Sequence, residues 1–184
     1  MGIFLFSMPA RPHFYWPVNW QGWGNYDEDV KEAWKRSVDS LSQVTRHPEK
    51  SGLILAFEIL QPTESNLMFD FVTTVRMMDE IQSDHFKLCV DTVPVGRGGN
   101  TMDDFFQKIN GRICHIHLTD GNRSGHIPFG LGEHLLNDYL STLCQCDYSG
   151  YITLEIGDMG WDMEPEKATL IALDTVRKAL HVSC

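Results

Sequence analysis

The sequence is poor in positive charge and lacks any long hydrophobic run. It has 15 Lys and Arg residues against 25 Asp and Glu residues, which gives a formal net charge of −10. Because an acidic surface repels a phosphate backbone, this composition argues against a nucleic-acid partner. The apolar stretch 1–9 is too short for a signal sequence or a membrane span. We therefore expect a cytoplasmic protein without a membrane partner.

A Cys-x-x-Cys motif of the kind that binds zinc or catalyses redox reactions is also missing. The five cysteines form no Cys-x-x-Cys motif, and their odd number predicts free thiols in a reducing compartment. Cys89 and Cys114 lie inside apolar runs, where a thiol behaves as a small hydrophobic group. Low-complexity tracts and sequence repeats are absent too. The 184 residues, 42% of them hydrophobic, are expected to form a single domain over 1–184.

What the chain does contain is an alternation of short apolar runs with longer amphipathic segments. The runs are rich in Ile, Leu, Val and Phe, which is typical of parallel strands covered on both faces. Their alternation with helical patterns predicts β/α units around a parallel sheet. The predicted strands are 3–7, 53–60, 86–93, 113–119 and 151–156.

The amphipathic segments predict helices. The segment 30–44 has one apolar stripe at helical spacing. Thr101 is a suitable N-cap with two acidic residues in the turn that follows it, and Pro165 is a good first helical residue. The other predicted helices are 67–78, 101–109, 135–144 and a final one from 165 onwards.

Five β/α units predict a partial TIM-type (β/α) barrel in the α/β class. A complete barrel has eight units and roughly 250 residues, so about three units are missing. A partial barrel leaves two open sheet edges, which proteins normally cover or pair. We therefore expect a homodimer that covers them.

Four polar residues stand near the carboxyl ends of four successive predicted strands: Glu58, Asp91, His117 and Glu155. They are separated by roughly 30 residues each, about the length of one strand–helix unit. Working residues of (β/α) barrels lie at that end of the strands, so the four side chains are expected to converge. Three carboxylates and an imidazole suit a divalent ion such as Mn²⁺, Mg²⁺, Co²⁺ or Zn²⁺.

Several neighbouring residues have simpler interpretations. His115 shares a strand face with His117, and we interpret it as a hydrogen-bonded structural histidine. Asp120 is interpreted as a turn residue. The aromatic segment 10–26, which contains His13, is expected either to contact a sugar or to serve in loop packing.

The chain resembles the xylose isomerase-like barrel superfamily, and within it the ketose 3-epimerases and fructoselysine epimerases. The resemblance covers nearly the whole chain and maps onto the last five β/α units of the family. It is carried by the motifs FEILQPTESN (57–66), LCVDTV (88–93), HIHLTDGNR (115–123), HIPFGLGEH (126–134) and GYITLEI (150–156).

This resemblance implies a metal-dependent isomerase or epimerase that acts on a sugar or sugar derivative by proton transfer through an enediolate. It implies that Glu58 and Glu155, besides binding the metal, form the acid/base pair. Glu64 and Arg123 match residues that contact substrate in the family. Where many members have a histidine, this chain has Pro94, so His126 and Arg97 are candidates for the missing contact.

Two alternatives remain open. One is phosphodiester hydrolysis, as in the related endonuclease IV enzymes, which need a multinuclear zinc cluster with several more histidines. The other is a truncated family member that folds but is catalytically inactive, because the first three units that line the sugar pocket have no counterpart here.

Overall fold

The computed structural model describes residues 3–6, 29–62, 64–122, 125–157 and 160–183. The strands in chain order are β1 (Ile3–Phe6), β2 (Ile54–Glu58), β3 (Phe86–Asp91), β4 (Ile113–His117), β5 (Asp120–Asn122), β6 (Gly125–Ile127) and β7 (Tyr151–Thr153). The helices are α1 (Val30–Ser51), α2 (Phe71–Ile81), α3 (Thr92–Arg97), α4 (Met102–Ile109), α5 (Leu136–Gln145) and α6 (Pro165–Ser183). Short 3₁₀ turns cover Asn110–Arg112 and Trp161–Met163.

One five-stranded sheet holds the fold together. Its strand order is β1-β2-β3-β4-β7, and every neighbouring pair is parallel. At least one helix lies between each strand of this sheet and the next. The β5–β6 hairpin forms a separate two-stranded sheet and is inserted between β4 and α5. The five β/α units and the parallel sheet predicted from the alternating pattern are confirmed.

The two faces of the sheet differ in chemistry because side chains alternate along each strand. One face is apolar and packs against the helices, with Phe57, Leu88 and Ile116 buried in the core. The other face carries the polar residues. The register pairs Glu58 with Cys89 and Asp91 with His117, so polar side chains of neighbouring strands stand side by side.

Several predicted boundaries differ from the observed ones, and two of these differences have an identifiable reason. The second helix begins at Phe71 rather than at residue 67, because Asp70 and Thr73 form a capping box there, while Leu67 and Met68 are buried in the core. The third strand ends at Asp91 rather than at residue 93, because the Asp91 carboxylate accepts a hydrogen bond from Val93 N and caps α3.

Helix α3 and the β5–β6 hairpin were not predicted. Pro94 argues against a helix in a sequence window, but it is the third residue of α3, where its missing N–H has no intrahelical partner to lose. The hairpin has only three residues in each strand, too few for a periodic signal.

Strand β7 stands at one end of the sheet and is open to solvent. Tyr151 is 75% exposed and Ile152 is 42% exposed. The expected homodimer would cover such an edge, and it stays a prediction. None of the helices within the described ranges is long and apolar enough to cross a lipid bilayer.

Helix α2 gives a test of the fold. Asp70 Oδ1 accepts a hydrogen bond from Thr73 N at 2.8 Å. We predict that Asp70→Ala lowers the free energy of unfolding by about 1 kcal/mol, the usual effect of losing an N-cap. The control is Asp84→Ala in an exposed loop. Urea unfolding followed by circular dichroism measures both, and equal effects of the two substitutions would contradict this capping role.

Candidate metal centre

Four side chains meet at the carboxyl edge of the parallel sheet. Glu58, Asp91 and His117 are the last residues of β2, β3 and β4, and Glu155 lies two residues beyond β7. Each offers one ligand atom, and these four atoms all lie within 4.8 Å of one another. The structure therefore brings together the four residues that were expected to converge from their positions near the ends of predicted strands.

His117 is the centre of this cluster. Its Nδ1 lies 2.5 Å from Glu58 Oε1 and 2.7 Å from Glu155 Oε2. Burial alone would lower the pKa of His117, but hydrogen bonds with Cys89, Glu155 and Glu58 together raise it well above its usual value. A positive charge is thus stabilised at the point where the two carboxylates meet.

The two glutamates that flank His117 have unlike surroundings. The Glu58 side chain is only 14% exposed, whereas the Glu155 side chain is 44% exposed. Burial raises the pKa of Glu58, His117 opposes this shift, and the charges of Glu155 and Asp91 add to it. The pair consists of one enclosed carboxyl group and one that reaches solvent.

Asp91 is held at both of its oxygens and is almost fully buried. One oxygen accepts a hydrogen bond from Val93 N at 2.8 Å, and the other lies 2.8 Å from His126 Nε2. His126 belongs to β6, so the hairpin fixes the orientation of the Asp91 carboxylate. A histidine that orients a ligand in this way is typical of the residues around metal sites. The role of His126 as a substrate contact stays a prediction.

Asp120 is a strand residue, so its interpretation as a turn residue is wrong. It begins β5, and its buried carboxylate accepts four backbone hydrogen bonds of 2.9 to 3.0 Å, from Gly121, Gly130, Gly132 and His134. A side chain at position 132 would collide with this carboxylate. Asp120 therefore folds the glycine-rich loop against the hairpin that carries His126.

Two residues lie one layer beneath the four donors on the same sheet face. His115 Nε2 is 2.9 Å from Thr153 Oγ1, so its interpretation as a hydrogen-bonded structural histidine is confirmed. Cys89 is more than the small hydrophobic residue that its apolar run predicts. Its sulfur lies within 4.8 Å of ligand atoms on Glu58 and His117, and burial raises the pKa of this thiol to about 12. Its position two residues before Asp91 was the signal that could have identified it.

Of the other residues predicted to contact substrate, the structure describes only some. Glu64 Oε2 accepts a hydrogen bond from Gln61 N at 3.0 Å, which ties it to the turn after β2. Arg123 and the aromatic segment 10–26, including His13, lie outside the described residues. The substrate-binding roles of Glu64 and Arg123 stay predictions.

The donor set fits a divalent cation. Three carboxylates close together repel one another, and a buried carboxylate is costly unless a positive charge or hydrogen bonds compensate it. Oxygen-rich sites with one imidazole suit hard and borderline ions. Glu58, Asp91, His117 and Glu155 are the residues that would hold such an ion.

Comparison with known protein families identifies the family to which this fold belongs. The family model of the xylose isomerase-like TIM barrel matches residues 4–179. The chain therefore belongs to this family, and the partial TIM-type barrel predicted from the five β/α units is confirmed.

Similar curated proteins are sugar 3-epimerases. The chain is 28% identical over 126 residues to D-psicose 3-epimerase of Enterocloster bolteae, a match covering 66% of this chain and 40% of that protein. It is 26% identical over 149 residues to fructoselysine 3-epimerase of Escherichia coli O157:H7, covering 80% of this chain and 54% of that protein. The chain thus spans about half the length of these relatives.

Solved structures share the fold. D-psicose 3-epimerase from Clostridium cellulolyticum H10 with D-tagatose superposes with a TM-score of 0.73 at 21% identity, covering 96% of this chain and 64% of the other. The IOLI protein, crystallised with a binding zinc atom, gives a TM-score of 0.70 at 19% identity, covering 87% and 60%. At such identities the likeness shows the fold alone.

The buried Asp120 carboxylate gives a test of how the site is supported. Asp120→Ala would leave four backbone N–H groups without their acceptor, at about 1–3 kcal/mol for each that stays unsatisfied. We predict a loss of about 3 kcal/mol or more in the free energy of unfolding. Asp138→Ala, in the exposed first turn of α5, is the control and should cost less than about 1 kcal/mol.

Chemical denaturation of both variants measures the difference. A loss at Asp120 no greater than that at Asp138 would show that the glycine-rich loop folds without this carboxylate.

Proposed function

We propose that this chain carries the metal-binding and acid/base residues of an isomerase or epimerase of a sugar or sugar derivative. The observation that carries the proposal is the convergence of three carboxylates and one imidazole within 4.8 Å at the carboxyl edge of the sheet. The membership of the barrel family and the 3-epimerase relatives support the same class of reaction.

Glu58, Asp91, His117 and Glu155 would hold one divalent ion, with Mn²⁺, Mg²⁺, Co²⁺ and Zn²⁺ as the candidates. When bound, the ion supplies Lewis-acid polarisation of the sugar carbonyl. His126 keeps the Asp91 carboxylate oriented through its 2.8 Å hydrogen bond. The hairpin thereby contributes to the site without contributing a ligand.

Glu58 and Glu155 are proposed as the acid/base pair. One removes the proton from the carbon next to the carbonyl, giving an enediolate of the sugar, and the other returns a proton to the opposite face. This task requires two carboxyl groups in unlike environments. Glu58 is enclosed and Glu155 is half exposed, although both lie against the same nitrogen of His117. Glu64, Arg123 and His126 are proposed to contact substrate hydroxyl groups.

The alternatives are less well supported. An endonuclease IV-like hydrolase needs further histidines around several zinc ions, and within the described ranges the donor groups that converge contain a single histidine, His117. The similar curated proteins reported above are epimerases, and the net charge of −10 does not favour a nucleic-acid substrate. An inactive family member is tested by the same assays as the enzyme. A homodimer that covers the β7 edge belongs to the proposal.

Metal binding is the first test. A ligand that binds only the folded state stabilises it, by about 2.7 kcal/mol at a concentration 100 times its Kd. We predict that Mn²⁺ raises the melting temperature and that Asp91→Asn, which keeps an oxygen to cap α3, abolishes the increase. Asp84→Asn, an exposed acid of the same type, should preserve it. Scanning calorimetry with and without Mn²⁺ measures the shift, and a shift of the same size in Asp91→Asn would refute the site.

Proton exchange is the second test. In deuterated water with saturating Mn²⁺, the chain should exchange the proton next to the carbonyl of a ketose from a panel of D-psicose, D-tagatose, L-ribulose and fructoselysine. Glu155→Gln should slow this exchange by about 10²–10⁴-fold, because it removes one member of the acid/base pair. Glu166→Gln, in the exposed first turn of α6, is the control.

Nuclear magnetic resonance of the sugar measures the exchange, and Mn²⁺ binding by each variant is measured in parallel. The proposed activity would be contradicted if the folded, Mn²⁺-loaded chain exchanged no proton in any of these sugars. That result would favour the inactive family member.

A further inference from the structure

Cys89 stands in the polar layer directly beneath the four donors. It precedes Asp91 by two residues on β3, so both side chains project from the same face of the sheet. The strand register pairs it with Glu58 on one side and with His115 on the other. It is fully buried, so its sulfur can reach only the interior of the site.

The cysteine forms a second group of converging ligand atoms. Atoms of Glu58, Cys89 and His117 all lie within 4.8 Å of one another, the same spacing as in the group of three carboxylates and one histidine. The thiol of Cys89 also hydrogen-bonds with the imidazole of His117. Because Glu58 and His117 belong to both groups, two cations cannot occupy the two sets at the same time.

The two sets differ in the ions they suit. Carboxylate oxygens suit hard ions such as Mg²⁺ and Mn²⁺, whereas a thiolate suits softer ions, and zinc is bound well by mixed sulfur, nitrogen and oxygen ligands. Replacing two carboxylates, Asp91 and Glu155, by one sulfur therefore changes the selectivity of the site. It also draws the ion one layer deeper, away from the half-exposed Glu155.

We propose that Cys89 gives the centre a second ligand set, Glu58–Cys89–His117, which takes a thiophilic divalent ion such as Zn²⁺ or Cd²⁺ in competition with Mn²⁺ at the upper set. This inference rests on the proposed metal centre and assigns it a selectivity residue. When the thiophilic ion binds, the sulfur forms a bond to it and the thiol proton passes to solvent. No electron is transferred. The ion bound through sulfur would occupy Glu58, one of the two acid/base groups, and would therefore act as an inhibitor of the proposed reaction.

The test uses Cd²⁺ with the full 184-residue chain. A cadmium–thiolate bond gives an ultraviolet charge-transfer absorption that carboxylate ligands do not give. We expect this absorption in the wild-type chain, its loss in Cys89→Ser, and its reversal by excess Mn²⁺, because the two ions share ligands. Cys114→Ser is the matched control, since Cys114 is a free thiol on the neighbouring strand, and it should retain the absorption. Mn²⁺ affinity should be unchanged in Cys89→Ser, which also shows that this variant is folded.

A second measurement does not depend on any variant. X-ray absorption of the zinc-loaded wild-type chain should show one sulfur neighbour at about 2.3 Å. That sulfur signal should disappear in a sample to which excess Mn²⁺ is added.

The outcomes separate this inference from the proposed function. Two results would overturn the role of Cys89 and leave the metal centre intact, provided that Mn²⁺ binds. One is that zinc or cadmium binds without a sulfur signal. The other is that the cadmium absorption persists in Cys89→Ser. If neither Mn²⁺ nor Cd²⁺ binds, both the centre and this inference fail.

Discussion

The arrangement depends on the imidazole of His117 lying between two carboxylates at the edge of a buried parallel sheet. Three carboxylates gathered near the ends of apolar strands repel each other, and a positive charge among them offsets this repulsion. In the described structure the contacts from His117 to Glu58 and Glu155 supply that compensation. A divalent cation would supply more of it, at the same place and through the same atoms.

The surroundings of this cluster serve to hold it in position. Asp91 is fixed from two directions, by the backbone of α3 and by His126 of the hairpin. The hairpin in turn is connected to the glycine-rich loop through the buried carboxylate of Asp120 and its four backbone donors. Hydrogen bonds thus connect the glycine-rich loop, through the hairpin, to one of the four donor side chains. Hydrogen bonds of this kind orient the ligand side chains of metal sites.

Much of this could be predicted from the sequence, because buried parallel strands leave a strong signal. The five apolar runs gave the strands, and the strand ends gave Glu58, Asp91, His117 and Glu155. Contacts that depend on short or irregular segments could not be predicted. The hydrogen bond of His126 exists only because a three-residue strand turns it towards Asp91, and helix α3 exists because Asp91 caps it. Neither feature has a period that a sequence window could detect.

Strand β7 gives the site an asymmetry. Three of the donor residues end strands that have a neighbour on each side, whereas Glu155 follows a three-residue strand that pairs, among the described residues, with β4 alone. An ion held by all four side chains would therefore connect the middle strands of the sheet with its edge strand. Cation binding and the positioning of that edge strand would then be thermodynamically coupled. A partner that binds against β7 would therefore also change the affinity of the site for the cation.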